Sequence, residues 1–509
     1  MRLRGIVRAD RGAGLRARLI AGSSALVVLA AVTVAGAAGA QTSSPTSAWP
    51  QPGGDDANTR TAVGSSIASG NVARLTRAWA VSTPGALTTA VVVVGDTIYM
   101  EDSLCIVTAV DRGSGTVKWQ SPSIGFTIGP QGVSVGDGAV FATSPTGAVA
   151  LDQTDGRLRW KKDLTDTPTE GVDAQPQFVD GRVLIATVPV SARVPYHGGD
   201  HGVLYALDAK TGDIDWLFDT VASDDLWGHP DVNSGGGAWY PPAVDRKAGL
   251  VYWGVANPAP FPGTPEFPNG SSRPGRNLYT DSTVALSLKT GKLRWYRQAV
   301  AHDLFDQDFV HALIATTGTR TQPRRVVVGA GKGGQVLGMD PATGRLLWKT
   351  AVGVHQNHDL TALTGPTEVL PGTYGGVITP PATADGVVYV ATLNAPATLE
   401  PDKPAYFGGS IGTRDGEVVA IDATTGKHRW DTTVPGDPMG GATVVNDLVF
   451  TATYQGQLVA LDRATGRIVT TIAVGNGVAG WPAPVGDLLL VPTGTVGRPG
   501  TLIAYRVAG

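Results

Sequence analysis

Asn257 stands where a strand-like stretch gives way to a loop. The segment "VYWGVANPAPFPG", residues 251–263, begins like a buried strand and continues into a loop that holds three prolines. An asparagine at such a point commonly ends a strand and begins a turn, because its side chain bonds to nearby backbone. The same carboxamide could instead hold a ligand, so the segment by itself leaves both roles open.

A second group of side chains that could do chemistry is acidic. Asp303, Asp306 and Asp308 all fall in the short segment "HDLFDQD". If this segment is extended, Asp306 and Asp308 point to the same face, since side chains two residues apart in a strand share a face. A solvated acidic loop is the alternative interpretation of the group.

His197 and His201 have the i,i+4 spacing of a metal-binding pair. That spacing brings two imidazoles together only on a helix, whereas "YHGGDHG" is a glycine-rich loop, so we expect no metal site at the histidines. Cys105 is the only cysteine. The sequence therefore predicts no intramolecular disulfide, no zinc cluster and no covalent haem motif.

Residues 1–40 have the organisation of a secretory signal peptide. An arginine-rich start precedes the apolar run "ALVVLAAVTVAGAAGA", which ends in the small residues of a cleavage site. If the run is not cleaved, it is a membrane anchor. No other stretch is long and apolar enough to span a bilayer. We therefore expect a secreted protein, extracellular or in the cell-envelope space.

The mature chain is acidic. Removing the six arginines and Asp10 of the leader from the 40 basic and 43 acidic residues of the whole chain leaves 34 against 42, a net charge of −8. Such a chain offers no excess positive charge to displace the counterions of phosphate. The composition therefore excludes nucleic acid as an expected partner.

Seven near-copies of one pattern organise the rest of the chain. Each copy has an alternating apolar strand, an Asp or Ser, a corner that ends in Gly, and a further strand; the Asp or Ser positions are 111, 152, 208, 287, 340, 422 and 462. Six copies end near a tryptophan, at positions 119, 160, 216, 295, 348 and 430. Recurrent large aromatics pack between neighbouring sheets, and four-stranded sheets repeated around an axis form a β-propeller.

The chain ends supply the missing strands. "TLIAYRV", residues 501–507, is an inner strand with no outer strand after it, and "NVARLTRAWAV", residues 71–81, is an outer strand with nothing before it. Joining them predicts an all-β fold: a single eight-bladed propeller closed by strands from both termini, with seven blades as the alternative. The expected segments are a signal peptide (1–40), an N-terminal extension (41–70) and the propeller (71–509).

The repeat resembles that of the quinoprotein alcohol dehydrogenases, eight-bladed enzymes that bind pyrroloquinoline quinone (PQQ). The similarity is most specific within residues 227–308. There the motifs "GGGAW", "GVANPAP", "RPGRNLY" and "HDLFDQD" follow one another in the order of the family. The generic repeat alone would also fit the non-catalytic assembly proteins of the same superfamily.

The resemblance implies a role for five residues. Trp239 would form the floor under the planar quinone, and Lys332 would hydrogen-bond the quinone oxygens. Asn257, Asp306 and Asp308 would be oxygen ligands of Ca²⁺ or a lanthanide ion. Asp306 would also be the general base that takes the alcohol proton.

Three features depart from the family pattern. The glutamate metal ligand is missing, since its place falls near His197, with Asp200 as a displaced alternative. Cys105 stands alone where dehydrogenases of the family commonly have two adjacent cysteines beside PQQ. The segment "YGGVITPPA", residues 374–382, lacks the Asn-Trp pair of the family.

Two functions therefore stay open. The first is a secreted oxidoreductase that oxidises an alcohol or sugar hydroxyl by hydride transfer to metal-bound PQQ and passes electrons to a separate acceptor. The second is a non-catalytic extracellular propeller that binds a protein or a polymer as a scaffold.

Overall fold

The computed structural model describes residues 48–191, 196–406 and 409–508, so the expected signal peptide lies outside the described residues. In these ranges the chain forms eight sheets that are each built on four antiparallel strands and are the blades of a propeller; short additional strands extend two of these sheets. The prediction of eight blades is confirmed. In the same ranges, no helix is long and apolar enough to cross a membrane.

Blades 1 to 4 use the first half of the described chain, and each pairs its strands in sequence order. The strands of blade 1 are Val92–Val94, Thr97–Glu101, Val107–Asp111 and Val117–Gln120; those of blade 2 are Ser134–Gly136, Ala139–Ser144, Gly147–Asp152 and Leu158–Asp163. The strands of blade 3 are Gln177–Val179, Arg182–Ala186, His201–Asp208 and Ile214–Asp219; those of blade 4 are Ala243–Asp245, Leu250–Gly254, Ser282–Ser287 and Leu293–Gln298.

Blades 5 to 7 continue the same order. The strands of blade 5 are His311–Thr319, Gln322–Gly331, Gln335–Met339 and Leu346–Ala351; those of blade 6 are Ala382–Ala384, Val387–Thr392, Gly416–Asp422 and His428–Val434. The strands of blade 7 are Thr443–Val445, Leu448–Ala452, Gln457–Asp462 and Ile468–Ala473.

Blade 8 closes the ring with strands from both ends of the described chain. Its strands are Ala483–Val485, Leu488–Thr493, Gly500–Val507 and Leu75–Thr83. The last two pair antiparallel, with Trp79 opposite Ala504. The predicted closure is confirmed, and it leaves no open sheet edge at the junction of the termini.

Short elements lie between the blades. The additional strands are Thr61–Ala62, Ser234–Gly236, Pro258–Ala259, Thr367–Val369 and Ala397–Leu399. The 3₁₀ helices are Val72–Arg74, Leu226–Gly228 and Pro268–Gly270. The short strands and helices within residues 226–270 belong to insertions around blade 4, and these insertions carry Trp239 and Asn257 of the candidate site.

Recurrent tryptophans link each blade to the next at seven of the eight junctions. Each indole N–H donates to a backbone carbonyl of the following blade; the donors are Trp79, Trp119, Trp160, Trp216, Trp295, Trp348 and Trp430. The corner glycine of that following blade lies against the same indole, as Gly156 does against Trp119. The repeated Gly and Trp positions are therefore the two sides of one contact between blades.

Gly156→Ala should destabilise the protein by about 1–3 kcal/mol more than Gly181→Ala, because an added Cβ would overpack the junction. Both glycines have a positive φ, +73° and +76°, so both variants share the cost of a left-handed backbone. A Cβ on Gly156 would lie 2.5 Å from Trp119 Cε3, whereas one on Gly181 would meet nothing within 4 Å. Urea unfolding of the two variants measures the difference, and equal losses would contradict the contact.

The segment that precedes the propeller is buried against it. Trp49 exchanges backbone hydrogen bonds with Val93 of blade 1. The Asn58 amide donates to the carbonyls of Pro241 and Ala312. Strand Thr61–Ala62 pairs parallel with blade 7. Residues 49–62 thus contact several blades, while the proposed boundary of the extension at residue 70 stays a prediction.

Candidate functional site

A cavity of about 170 Å³ lies beside Trp239. Its wall includes Tyr196, Trp239, Asp306, Lys332, Tyr374 and Asp173. A second cavity of about 430 Å³ shares part of this wall, including Trp239 and Tyr374, and extends to Trp481. The structure therefore brings three of the sequence-predicted residues, Trp239, Asp306 and Lys332, to one concave site.

A glycine triplet positions Trp239. A Cβ on Gly237 would lie 2.3 Å from the Thr187 carbonyl oxygen, and a Cβ on Gly202 would lie 2.0 Å from Gly237 Cα. Only glycine permits this approach of two backbones. Strand Ser234–Gly236 can therefore run beside blade 3 and deliver Trp239 to the cavity.

The acid segment is held by its own first carboxylate. Asp303 accepts hydrogen bonds from the backbone N–H groups of Phe305 (2.7 Å) and Gln307 (2.6 Å). Inside that turn Asp306 has a φ of +62°. A non-glycine residue in this conformation is uncommon and is often found at functional sites. The segment is a buried, hydrogen-bonded turn, and the solvated-loop alternative is wrong for it.

Lys332 connects the predicted residues. Its Nζ lies 2.8 Å from Asp306 Oδ2 and 2.7 Å from Asp308 Oδ2, and all three side chains are at least nine-tenths buried. The same Nζ lies 4.5 Å from the centre of the Trp239 ring. An ammonium over an indole face is attracted by the ring electrons. The Lys332 ammonium therefore holds the carboxylates of Asp306 and Asp308 beside the Trp239 ring.

Burial shifts the pKa of both members of the Asp306–Lys332 pair. Desolvation raises the pKa of Asp306 well above its usual range, Lys332 opposes that shift, and Asp308 adds to it. Burial alone would lower the pKa of Lys332, but Asp306 and Asp308 more than reverse this and raise it. Lys332 therefore stays charged, and Asp306 is a carboxylate that takes up a proton readily.

Asn257 and Asp308 are fully buried behind this group. The Asn257 backbone N–H donates to Asp308 Oδ1 (2.7 Å). The Asn257 side-chain oxygen accepts a hydrogen bond from the Tyr196 hydroxyl (3.0 Å), and its amide donates to the Pro258 carbonyl (3.0 Å). Asn257 therefore orients Asp308 through its backbone, and its carboxamide oxygen already has one donor.

A buried arginine connects the remaining motifs. Arg273 donates to the Asn277 side chain (2.8 Å) and to the carbonyls of Pro260 (2.9 Å) and Asp303 (2.5 Å). Burial lowers its pKa to about 10, with Asp303 and Asp281 opposing the shift. The guanidinium stays charged near neutral pH, and it fixes the 260 loop and the acid turn relative to each other.

Neither His197 nor Asp200, the two residues expected in place of the missing glutamate, lines the cavity beside Trp239. His197 is exposed. Asp200 is buried, and its carboxylate accepts hydrogen bonds from the hydroxyls of Thr167 (2.9 Å) and Thr169. His201 pairs with Asp219 at 3.1 Å. From this loop it is Tyr196 that reaches the site, through its bond to Asn257.

Sequence reasoning missed Asp173, Tyr196 and Trp481. Tyr196 lies in the segment where the family has its glutamate metal ligand, so its position in the sequence could have indicated that it reaches the site. Trp481 lies outside the repeat register of the tryptophans, as Trp239 does. Asp173 had no motif around it: only the fold brings its side chain to the cavity wall.

The residues present fit a planar anionic quinone. Trp239 offers a flat apolar face, Lys332 a buried positive charge, and the two adjoining cavities the necessary room. The fit of these residues to a hard cation depends on the presence of free oxygen donors. Asp306 Oδ1 is buried and has no hydrogen-bond partner, although among the described residues no group of three or more His, Cys, Asp or Glu is arranged to hold a metal ion.

Comparison with known proteins adds a family relationship. The model of the PQQ family, the glucose/ethanol/alcohol dehydrogenase β-propeller domain, matches residues 49–353. The model of the outer membrane protein assembly factor BamB matches residues 414–508. The first match covers more than half of the chain and includes all five candidate residues.

Individual relatives agree with that match. The chain is 26% identical over 511 aligned positions to the quinohemoprotein alcohol dehydrogenase of Comamonas testosteroni, covering 86% of this chain and 70% of that protein. It is 27% identical over 521 positions to the dehydrogenase XoxF of Paracoccus denitrificans, covering 85% and 84%. A europium-containing methanol dehydrogenase shares the fold, with a TM-score of 0.76 and 22% identity over 90% of this chain and 98% of that one.

Proposed function

The chain belongs to the PQQ family of the glucose/ethanol/alcohol dehydrogenase β-propeller domain, and from this premise we propose that it oxidises an alcohol or sugar hydroxyl with PQQ as its cofactor. The observation that carries the proposal is the buried Lys332 ammonium, held by Asp306 and Asp308 against the Trp239 ring. A general base, a positive charge and a flat stacking surface thus meet in one cavity.

Asp306 is the base of the proposed reaction. It lines the cavity, and its Oδ1 has no partner, so that atom is free to accept the proton of a substrate hydroxyl. Ionised Asp306 is stabilised by Lys332 at 2.8 Å. Bound PQQ would supply the hydride acceptor, which the side chains of this protein cannot provide.

Trp239 and Lys332 orient the cofactor in this proposal. A tryptophan face stacks on a planar ring system at little entropy cost. Lys332 has three N–H donors, and two of them suffice for its carboxylate partners. The remaining donor is available for a quinone oxygen.

Asn257, Asp306 and Asp308 are the proposed oxygen ligands of Ca²⁺ or a lanthanide ion, hard cations that favour such donors. The relatives include a europium-containing enzyme, which supports this class of metal. Lys332 already balances part of the acidic charge at the site. A metal ion would therefore add to an existing positive charge, and we expect weak metal affinity before PQQ is bound.

The remaining parts of the proposal concern location and partners. Residues 1–40 are proposed to direct secretion, which places the reaction outside the cytoplasm. The single cysteine provides no covalent haem attachment within this sequence, so electrons are proposed to leave to a separate acceptor.

A scaffold function is the second candidate. It is favoured by the match of residues 414–508 to the BamB assembly factor and by Tyr196 in the segment of the missing glutamate. The test is dye-linked oxidation of primary alcohols and sugars by protein supplied with PQQ and either Ca²⁺ or La³⁺. Turnover that requires PQQ supports the enzyme, and no turnover on any alcohol or sugar favours the scaffold.

Asp173→Asn should gain stability relative to the wild type as pH rises from about 4 to 7. Burial raises the pKa of Asp173 to about 7 from 3.8. Between these values the folded chain holds a proton that the unfolded chain has released, so wild-type stability falls with rising pH, by at most about 1.4 kcal/mol per pH unit. Asparagine cannot ionise and escapes this loss.

Thermal melts of both proteins between pH 4 and 9 measure this effect. The stability difference should grow up to about pH 7 and stay constant above it, because wild-type Asp173 is then ionised in both states. A difference that does not change with pH would contradict the raised pKa. A protonated Asp173 also presents no negative charge to an anionic cofactor in the same cavity.

A further inference from the structure

A small third cavity lies next to the candidate active site. It has a volume of about 20 Å³. Tyr240 and Trp481 line both this cavity and the larger one beside Trp239. The remaining polar side chains of its wall belong to Asn58, Arg60, Gln175 and His311. Part of the wall therefore comes from the segment that precedes the propeller.

Arg60 is a buried cation without a counter-charge. It is 1% exposed. Its Nε donates to the Ala442 carbonyl (2.8 Å) and its Nη2 to the Thr443 hydroxyl (2.7 Å), while its Nη1 has no hydrogen-bond partner. Among the described residues no carboxylate lies within ion-pair distance of this guanidinium. A buried charge that lacks both a partner and a full set of hydrogen bonds is costly.

The Arg60 guanidinium nonetheless stays charged near neutral pH. Burial lowers its pKa to about 9, opposed by Tyr240 and by no carboxylate. The ring of Trp481 lies 5.4 Å from the guanidinium carbon and stabilises the charge only weakly. The protein therefore maintains an uncompensated positive charge at the wall of this cavity.

Two more unpartnered nitrogens belong to the same wall. Trp481 Nε1 and His311 Nε2 are buried and make no hydrogen bond. Burial and the charge of Arg60 lower the pKa of His311 to about 3, so its imidazole is neutral. An indole N–H only donates, whereas the single N–H of the neutral His311 imidazole is directed to the backbone at Ile378 and Val377, so its other nitrogen can only accept. The cavity thus combines one cation with one further donor group, the Trp481 indole.

We propose that this cavity binds a single monatomic anion, chloride under physiological conditions, held by Arg60 and Trp481. The volume of about 20 Å³ suits one small occupant better than phosphate, sulfate or a carboxylate. Water is the competing occupant, because the acceptors Gln175 Oε1 and Asn58 Oδ1 also lack donors. Charge decides between them, since only an anion neutralises Arg60.

The anion would have a structural role. Arg60 has a φ of +51°, and its strained segment is joined to blade 7 by the bonds of Nε and Nη2. Neutralising Arg60 removes the cost of placing its charge there. The site stabilises residues 49–62 on the propeller, and it does not depend on PQQ or on the proposed enzymatic activity.

Crystals grown with sodium bromide test occupancy directly. The proposal expects one anomalous bromine peak within hydrogen-bonding distance of Arg60 Nη1 and Trp481 Nε1. Density for a water molecule, without an anomalous signal at high bromide concentration, overturns it.

Thermal melts test the role of the anion in solution. The wild-type Tm should rise with sodium chloride and saturate, relative to sodium gluconate at equal ionic strength, because a ligand of the folded state stabilises it by mass action. Arg60→Gln should lose this chloride-specific shift. Arg246→Gln removes a half-exposed arginine paired with Asp56 and Asp180, and it should keep the shift.

Trp481→Phe is a second variant should Arg60→Gln fail to fold. It removes the indole N–H donor and leaves the charge of Arg60, so the chloride-specific Tm shift should need a higher chloride concentration. A shift that is unchanged in Arg60→Gln, or in Trp481→Phe when Arg60→Gln does not fold, overturns the proposal. A wild-type Tm that is the same in chloride and gluconate also overturns it.

Discussion

Asp306→Asn should lower kcat for alcohol oxidation by about 10²- to 10⁴-fold, the usual contribution of general acid–base catalysis. Asparagine keeps the shape of the side chain and its contact with Lys332, but it cannot accept the substrate proton. PQQ binding should persist, because Trp239 and Lys332 are unchanged. Dye-linked turnover at saturating PQQ, together with a binding titration, separates the two effects.

Asp200→Asn is the matched control for this experiment. Asp200 is as buried as Asp306, but its carboxylate accepts hydrogen bonds from Thr167 and Thr169, so we expect kcat close to that of the wild type. An equal loss in both variants would contradict the special role of Asp306.

In the wild type, kcat/KM should increase with pH as Asp306 ionises, because burial raises its pKa.

Lys332→Met should destabilise the protein by about 3–5 kcal/mol, the cost of leaving buried charges without their partner. The change leaves Asp306 and Asp308 together in the interior with no cation between them. Urea unfolding of the cofactor-free protein measures the loss. Added Ca²⁺ or La³⁺ should restore part of it if these carboxylates can hold a hard cation.

Lys118→Met is the control, because Lys118 also lies near two carboxylates, those of Asp96 (3.1 Å) and Asp111 (3.7 Å), but at the surface. Exposed ion pairs of this kind contribute about 0–1 kcal/mol. Similar losses in both variants would show that the buried group around Lys332 does not have the energetic role assigned to it.

The fold was largely predictable from the sequence because its signals are local. Each blade has its own alternating strands, corner glycine and tryptophan, and the contact of Gly156 with Trp119 shows why the two residues recur together. The burial of residues 49–62 was not predictable, since this segment has no repeat and contacts blades that are distant in sequence. Arg60, for example, bonds to residues 442 and 443.

The candidate site was predictable only in part. Family resemblance selected Trp239, Asp306 and Lys332, and the structure brings them to one cavity; their roles stay predictions. The bridge from Lys332 reaches two carboxylates of the segment that precedes its own blade 5, and the bond from Tyr196 to Asn257 joins loops of the neighbouring blades 3 and 4. No pattern along the chain encodes such contacts, because they form only when the loops between strands pack together in the folded propeller.

Titration of the purified protein with PQQ, in the presence of Ca²⁺ or La³⁺, tests the central claim most directly. Quenching of tryptophan fluorescence reports stacking, and equilibrium dialysis counts the bound cofactor. We expect one PQQ per chain at micromolar cofactor, reduction of the bound PQQ by an alcohol or sugar, and loss of binding in Trp239→Ala. Absence of binding with either ion, or undiminished binding by Trp239→Ala, would contradict the assignment of this cavity to PQQ.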